Sequence, residues 1–107
     1  MTTFYDLPTI SAARAKAGKL YQEFLRVPAL SAGVYVLAAG AADPQKPHKE
    51  DEVYYVVRGR AKMRVGSEEH VVKTGSVILV AAGIEHAFFD ISEEIEVLVF
   101  FAPAETA

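Results

Sequence analysis

Three side chains in this sequence could together bind a metal ion: His48, Glu52 and His86. His48 lies four residues before Glu52. Glu52 begins an apolar stretch, EVYYVV, that is typical of a β-strand. Because side chains alternate between the two faces of a strand, both would lie on the same face. His86 follows 34 residues after Glu52, beyond two expected hairpins, so a sheet folded back on itself could set it opposite His48.

The chemistry of these three groups suits a divalent transition metal. Two imidazoles and one carboxylate supply two nitrogen ligands and one anionic oxygen, which is the ligand set of the facial triad in non-haem iron sites. A buried charge needs a partner or a metal. The residues by themselves therefore leave two interpretations open, a metal site or a solvated or hydrogen-bonded pair. The third histidine, His70, follows GSEE at a hairpin end and is expected at the surface.

Length and composition exclude several classes of function. A chain of 107 residues with 51% hydrophobic content predicts one ordered domain over residues 1–107. The net charge is −3, and the 11 basic residues are scattered among 14 acidic ones without a basic run, which disfavours a nucleic-acid partner. Cysteine is absent, so disulfides, cysteine-based zinc sites and thiol nucleophiles are excluded.

No part of the sequence indicates a membrane or a secreted protein. No segment approaches the roughly 18 apolar residues of a membrane span, and the first residues lack the basic and apolar regions of a secretory signal. We therefore expect a cytoplasmic protein with no membrane partner.

The chain reads as one short helix followed by strands. TISAARAKAGK, at 9–19, predicts a helix capped by Thr9 or Ser11 and ended by Gly18. Tight turns are expected at RGR (58–60) and at later glycines. The predicted strands lie at 20–27, 31–39, 52–57, 61–65, 70–73, 76–82, 86–91 and 94–102. Short strands separated by frequent turns favour an all-β antiparallel sandwich or barrel.

Glycines and the candidate ligands recur at regular spacings in two segments, 40–59 and 75–90. The first reads Gly40, five residues, Lys46, Pro47, His48, three residues, Glu52, six residues, Gly59. The second reads Gly75, five residues, Ala81, Ala82, Gly83, two residues, His86, three residues, Asp90. Fifteen residues separate the segments.

These spacings resemble the two motifs of the cupin family, G-x5-H-x-H-x3-4-E-x6-G and G-x5-P-x-G-x2-H-x3-N. The resemblance to small single-domain cupins implies a jelly-roll β-barrel with a short N-terminal helix. It also implies a divalent metal inside the barrel, such as Fe, Mn, Zn or Ni, bound here by His48, Glu52 and His86. The sequence departs from the motif at Lys46, where the family has a further histidine ligand.

Lys46 leaves two outcomes open, because an ammonium cannot bind a metal and repels a cation. It could point outward and leave a three-ligand site, or its charge could sit near Glu52 and replace the metal. By the same strand periodicity, Glu50 is a spare carboxylate on the face of His48 and Glu52. Phe88 shares a face with His86, so Lys46, Glu50 and Phe88 are expected to line the pocket.

Two functions compete at this stage. The first is a metal-dependent enzyme, such as a dioxygenase or isomerase, acting on a small organic acid, a diol or a sugar. The second is a metal-free, non-catalytic pocket for a small molecule. In either case we expect a homodimer, because LYQEFLRV and VLVFFA would otherwise be exposed as apolar strands at sheet edges.

Overall fold

The computed structural model describes residues 3–106, and within this range the chain forms one helix and six strands. The elements are α1 (Leu7–Ala17), β1 (Tyr21–Val27), β2 (Leu30–Leu37), β3 (Asp51–Val65), β4 (Glu68–Lys73), β5 (Val77–Val80) and β6 (His86–Ala102). The predicted all-β fold with a short N-terminal helix is confirmed.

Helix α1 begins earlier than the sequence indicated. Asp6 is the N-cap residue, and Thr9 lies inside the first turn, where its hydroxyl donates a hydrogen bond to the Asp6 carboxylate at 2.9 Å. The expected caps at Thr9 and Ser11 were therefore wrong. Gly18 ends the helix with a left-handed φ of 68°, as expected. Among the described residues, no helix is long and apolar enough to cross a membrane.

The strands form an antiparallel sheet in the order β1-β2-β6-β3-β4, and β5 pairs with β3. Strand β3 is the hub of this arrangement. Its first half pairs with β5, its second half pairs with β4, and β6 runs beside nearly its whole length. The sheet therefore folds around β3 and β6, and these two strands supply most of the interior side chains.

The turn predicted at 58–60 is absent, because β3 runs without interruption from Asp51 to Val65. The pairing register with β6 shifts repeatedly between Val56 and Lys62, which marks a bulged region. Gly59 lies in it with a φ of 98°, and a Cβ atom at this position would be 2.2 Å from the carbonyl oxygen of Glu94. Gly59 is thus needed for close approach of two strands rather than for a hairpin turn.

The bulge changes which residues of β3 face the core. Before it, Glu52, Tyr54 and Val56 are buried, and after it Ala61 and Met63 are buried. The buried positions thus change from even to odd numbers, because irregular residues in the ladder shift the alternation of side chains.

Strand β6 likewise joins two segments, 86–91 and 94–102, that the sequence indicated as separate strands. Its second half pairs with β2 on one side and with β3 on the other. VLVFFA therefore lies inside the sheet, and the expectation that it forms an exposed edge was wrong. Strand β1, which contains most of LYQEFLRV, does lie at an edge.

Candidate metal centre

Two loops and two strand ends bring the three candidate ligands together. Glu52 is the second residue of β3, and His86 is the first residue of β6. His48 lies in the segment before β3, so strand periodicity does not place it. A backbone hydrogen bond does: the N–H of Gly83 donates to the carbonyl oxygen of His48 at 2.7 Å. This bond joins the two loops that precede β3 and β6, and it sets His48 beside His86.

The resulting cluster is compact and largely buried. One potential ligand atom from each of His48, Glu52 and His86 lies within 4.8 Å of the others. Glu52 and His86 are 1% and 7% exposed, whereas His48 is half-buried at the edge of the cluster. The rings of the two histidines are 6.0 Å apart between centroids. A shared cation at the centre would be within reach of all three side chains.

Several polar atoms in this cluster have no hydrogen-bond partner within the described chain. They are both carboxylate oxygens of Glu52 and Nε2 of His86. Nε2 and Oε1 are 3.2 Å apart, but their angles are not those of a hydrogen bond. Leaving a buried carboxylate without partners is strongly unfavourable. A divalent cation bound by these atoms would remove that cost, so the residues present fit a metal.

The ring orientation of His86 is fixed from outside the cluster. Its Nδ1 is 2.9 Å from the carbonyl oxygen of Ile84, which can only accept, so Nδ1 carries the proton in the neutral ring. This leaves the lone pair on Nε2, the ring nitrogen that lies 3.2 Å from Oε1 of Glu52. Burial by itself would lower the pKa of His86, but Glu52 and the Ile84 carbonyl stabilise the protonated ring, and the pKa is raised above its ordinary value.

The side chain of Lys46 lies at the surface rather than beside Glu52. In the described part of the chain, Lys46 forms no ion pair with Glu52. Lys46 lines the rim of a cavity of about 150 Å³ beside His48, together with Tyr21 and Glu105. A larger groove of about 450 Å³ lies between β4 and β5 and contains none of the three candidate ligands.

Glu50 does not face the cluster as the strand pattern suggested, because β3 begins only at Asp51 and the alternation does not extend back to Glu50. Its carboxylate is buried and accepts hydrogen bonds from the hydroxyl of Thr106 at 2.7 Å and from its N–H at 3.3 Å. These bonds stabilise the charged form and lower the pKa of Glu50. Glu50 thus holds the C-terminal segment.

The remaining predicted positions lie away from the cluster. Phe88 is 1% exposed and packs edge-on against Tyr54 in the core, with 5.2 Å between ring centroids. It therefore supports the barrel interior rather than the small cavity. His70 is at the surface as expected, with Nε2 3.0 Å from the Glu68 carboxylate.

Two residues near the site had escaped the sequence analysis. Asp43 accepts hydrogen bonds from the hydroxyl of Tyr35 at 2.7 Å and from the N–H of Phe88 at 2.9 Å, which ties the loop before β3 to the barrel. Glu105 has Oε2 3.3 Å from Nδ1 of His48. The contacts of Asp43 with Phe88 and of Glu105 with His48 join distant parts of the chain. No local pattern of residue types therefore predicts them.

Comparison with known proteins agrees with the fold and with the two motifs. The profile of the cupin domain matches residues 33–102. Over 102 residues, the chain is 48% identical to the uncharacterised protein SCO3923 of Streptomyces coelicolor, covering 95% of this chain and 97% of that protein.

Solved structures with the same fold include the cupin domain of Schizosaccharomyces pombe Cnp3, with a TM-score of 0.78 at 21% identity, covering 96% of this chain and 70% of that one. TT1209 from Thermus thermophilus has a TM-score of 0.76 at 23% identity, covering 96% and 99% of the two chains. KdgF from a Halomonas species has a TM-score of 0.70 at 20% identity, covering 78% and 76%. The jelly-roll barrel predicted from the motifs is thus confirmed, and the chain belongs to the cupin family.

Proposed function

We propose that this cupin binds one divalent transition metal through His48, Glu52 and His86. The observation that carries the proposal is the buried Glu52 carboxylate, whose two oxygens lack hydrogen bonds, while Nε2 of His86, which also has no hydrogen-bond partner in the described chain, lies 3.2 Å from Oε1. Two nitrogen donors and one carboxylate suit Fe, Mn, Zn or Ni. Three protein ligands would leave coordination positions open for a small molecule.

We further propose that the cavity beside His48 holds a small organic ligand. Its volume of about 150 Å³ suits a molecule of a few heavy atoms, and Lys46 places a positive charge at its rim. That charge would attract the carboxylate of a small organic acid, and Glu105 on the same rim carries the opposite charge. A bound metal would act there as a Lewis acid on the ligand's oxygens. The rings of Phe101 and Tyr21 line the same cavity.

The fold does not identify the reaction class, because one fold carries many activities. An open metal position beside an acid-binding cavity is compatible with dioxygenase-like or isomerase-like chemistry. Lys46 would bind and orient the acid. Other residues of the chain would hold the histidine rings in place.

The first test is metal content after purification without a metal-affinity tag. We expect close to one transition-metal ion per chain, and metal-stripped protein should rebind Mn, Fe, Ni or Zn with the same stoichiometry. Protein that neither retains nor rebinds any of these metals would overturn the proposal.

A metal-free binding pocket is the second candidate. It is favoured by the raised pKa of His86, because a protonated His86 could neutralise Glu52 without a metal. In that case the cavity would bind small acids equally well before and after metal removal, whereas the metal-site proposal requires weaker binding after removal.

We also propose that the protein acts as a homodimer. Edge strand β1 and an exposed apolar face of the sheet support this assembly. The cytoplasmic location expected from the sequence stays a prediction.

A further inference from the structure

We propose that Glu105, near the end of the chain, is a positioning residue that orients His48 for metal binding. This inference rests on the proposed metal site. The Oε2 atom of Glu105 lies 3.3 Å from Nδ1 of His48, an ion-pair distance just beyond the usual range of an N–H···O hydrogen bond. On another side, the His48 ring packs edge-on against Phe101, with 4.8 Å between centroids. The ring is thus held between a carboxylate and an aromatic wall.

The two histidines of the cluster have matching arrangements. Nδ1 of His86 faces the Ile84 carbonyl oxygen, and Nδ1 of His48 faces the Glu105 carboxylate. A carbonyl or carboxylate oxygen close to Nδ1 favours the proton on that nitrogen and leaves the lone pair on Nε2. Histidines that bind metals usually donate their second N–H to such a carboxylate or carbonyl, which fixes the ring and increases its basicity.

Glu105 is held in place by its own backbone. Its N–H donates to the hydroxyl of Ser31 at 2.8 Å, and its carbonyl oxygen accepts from the guanidinium of Arg26 at 2.8 Å. The next residue, Thr106, is fastened to the buried carboxylate of Glu50. Ser31 is fully buried and Glu50 is 4% exposed, so these anchors are part of the folded core. Thr106 binds Oε2 of Glu50, whereas Oε1 has no hydrogen-bond partner in the described chain.

The geometry assigns Glu105 an indirect role rather than a place among the ligands. The cluster whose donor atoms lie within 4.8 Å of one another contains His48, Glu52 and His86 but not Glu105. Its charge still matters: with Glu52 it would supply two negative charges near a divalent cation. This compensates in part for Lys46, which stands where the family has another imidazole ligand.

Metal titration of the full-length, metal-stripped protein tests this role. Loss of an outer-shell partner of a ligating histidine typically weakens metal binding by about 10–100-fold, and we expect this for Glu105→Ala with Zn or Mn as the probe. Glu105→Gln keeps an oxygen that can accept from Nδ1, so it should recover part of the loss. Glu93→Ala removes an exposed carboxylate of β6 and is the matched control. Equal affinity of Glu105→Ala and the wild type would overturn the inference.

A second measurement separates orientation from general destabilisation. In the metal-stripped protein, the ring-nitrogen NMR shifts of His48 should show the Nδ1–H form in the wild type and a shift towards the Nε2–H form in Glu105→Ala. His86, which is held by Ile84, should keep its form in both. An unchanged His48 in Glu105→Ala would overturn the inference even if metal binding weakens.

A milder variant guards against misfolding of Glu105→Ala. Thr106→Val removes the hydroxyl that donates to Glu50 but keeps the carboxylate of Glu105, so it should weaken metal binding less than Glu105→Ala does. The reverse order would contradict the proposed role. If the wild type binds no metal at all, the proposed function fails and so does the metal-related role of Glu105. The NMR comparison would still show whether Glu105 orients His48.

Discussion

At the scale of single residues, the environment of Glu52 sets the chemistry of the site. A carboxylate that is 1% exposed and has no hydrogen bond to either oxygen is unstable on its own. Within 4 Å its ionic neighbour is His86, whose Nδ1 is bound to the Ile84 carbonyl oxygen, so that Nε2 is the ring nitrogen next to the acid. A cation or a proton must complete this arrangement. Metal binding by variants of the site, and its dependence on pH, distinguish the two.

Removing an imidazole ligand should affect metal binding far more than removing a surface histidine. His86→Ala should weaken metal binding by more than the roughly 10–100-fold typical of an outer-shell change, because a direct ligand is lost. The fold should persist, since the core is built mainly from other side chains. His70→Ala, at an exposed position of β4, should leave metal content unchanged in elemental analysis. Equal losses in both variants would show that His86 has no special role.

Lys46→His should tighten the site. It restores an imidazole at the family's ligand position and removes a positive charge near the cation. We expect at least tenfold tighter binding, or about 1.4 kcal/mol. Lys49→His makes the same chemical change at an exposed neighbouring residue and should have little effect. Titrations with Mn, Fe, Ni and Zn compare the two variants, and an unchanged affinity for every metal would mean that position 46 does not reach the site.

Metal affinity should fall as the pH falls. The raised pKa of His86 means that, without metal, a proton occupies Nε2 below that pKa and must leave before the nitrogen can bind a cation. The same raised pKa stabilises the folded, metal-free chain below the unfolded pKa of about 6.5, and this contribution is lost as the pH rises through the folded-state value. Titrations across about pH 5.5–8 should show the affinity change, and affinity that does not vary over this range would contradict the assignment.

At the scale of elements, the bulge in β3 lets one strand serve two parts of the barrel. Before the bulge, the even-numbered residues Glu52 and Tyr54 face inward, and after it the odd-numbered Met63 does. Without the shift, one half of β3 would turn its apolar side chains towards solvent. The close approach of Gly59 to the backbone of Glu94 is the contact that makes this bulge possible.

Gly59→Ala should therefore be more destabilising than Gly75→Ala. Both glycines have a positive φ, 98° and 92°, so an added methyl group causes backbone strain of about 1–3 kcal/mol at either position. At Gly75 no other atom lies within 4 Å of the new Cβ, whereas at Gly59 it would meet a carbonyl oxygen at 2.2 Å. We expect the extra clash to add about 1–3 kcal/mol to the loss in free energy of unfolding. Urea denaturation measures both, and equal losses would mean that the bulge relaxes freely.

At the scale of the whole molecule, the outer face of the sheet around β3, β5 and β6 is apolar. Val77 and Leu79 are each 67% exposed, and they pair directly with Tyr55 and Val53 of β3. Leu98 and Phe100 continue this face on β6. We call these six residues the apolar face: Val53, Tyr55, Val77, Leu79, Leu98 and Phe100. An exposed apolar patch of this kind marks an interaction site, and the same patch on a second copy could pack against it across a two-fold axis.

We predict a dimer built on the apolar face. Light scattering should give about twice the chain mass of 11.6 kDa at micromolar concentration. Leu79→Glu places a charge in the middle of the apolar face and should produce monomers. Val71→Glu, at an exposed position of β4, adds the same charge elsewhere and should leave the dimer intact. A wild-type mass near that of one chain would refute the prediction.

Local patterns were enough to predict the fold class and the candidate ligands. The apolar strands predicted an antiparallel sandwich or barrel, and the resemblance of the glycine and ligand spacings to the cupin motifs implied the jelly roll. The types and spacings of His48, Glu52 and His86 identified the candidate ligands. Gly59 was misread because a positive φ serves a hairpin turn and a bulge equally well, and only the neighbouring strand β6 decides between them.

The surroundings of the candidate ligands could not be predicted from local patterns of the sequence. His48 is placed by a hydrogen bond from Gly83, and Glu105 reaches it from the other end of the chain. Glu50 turned away because Thr106 offers two donors that no local pattern reveals. Contacts between distant segments depend on how the sheet folds, and side-chain alternation predicts nothing beyond the end of a strand.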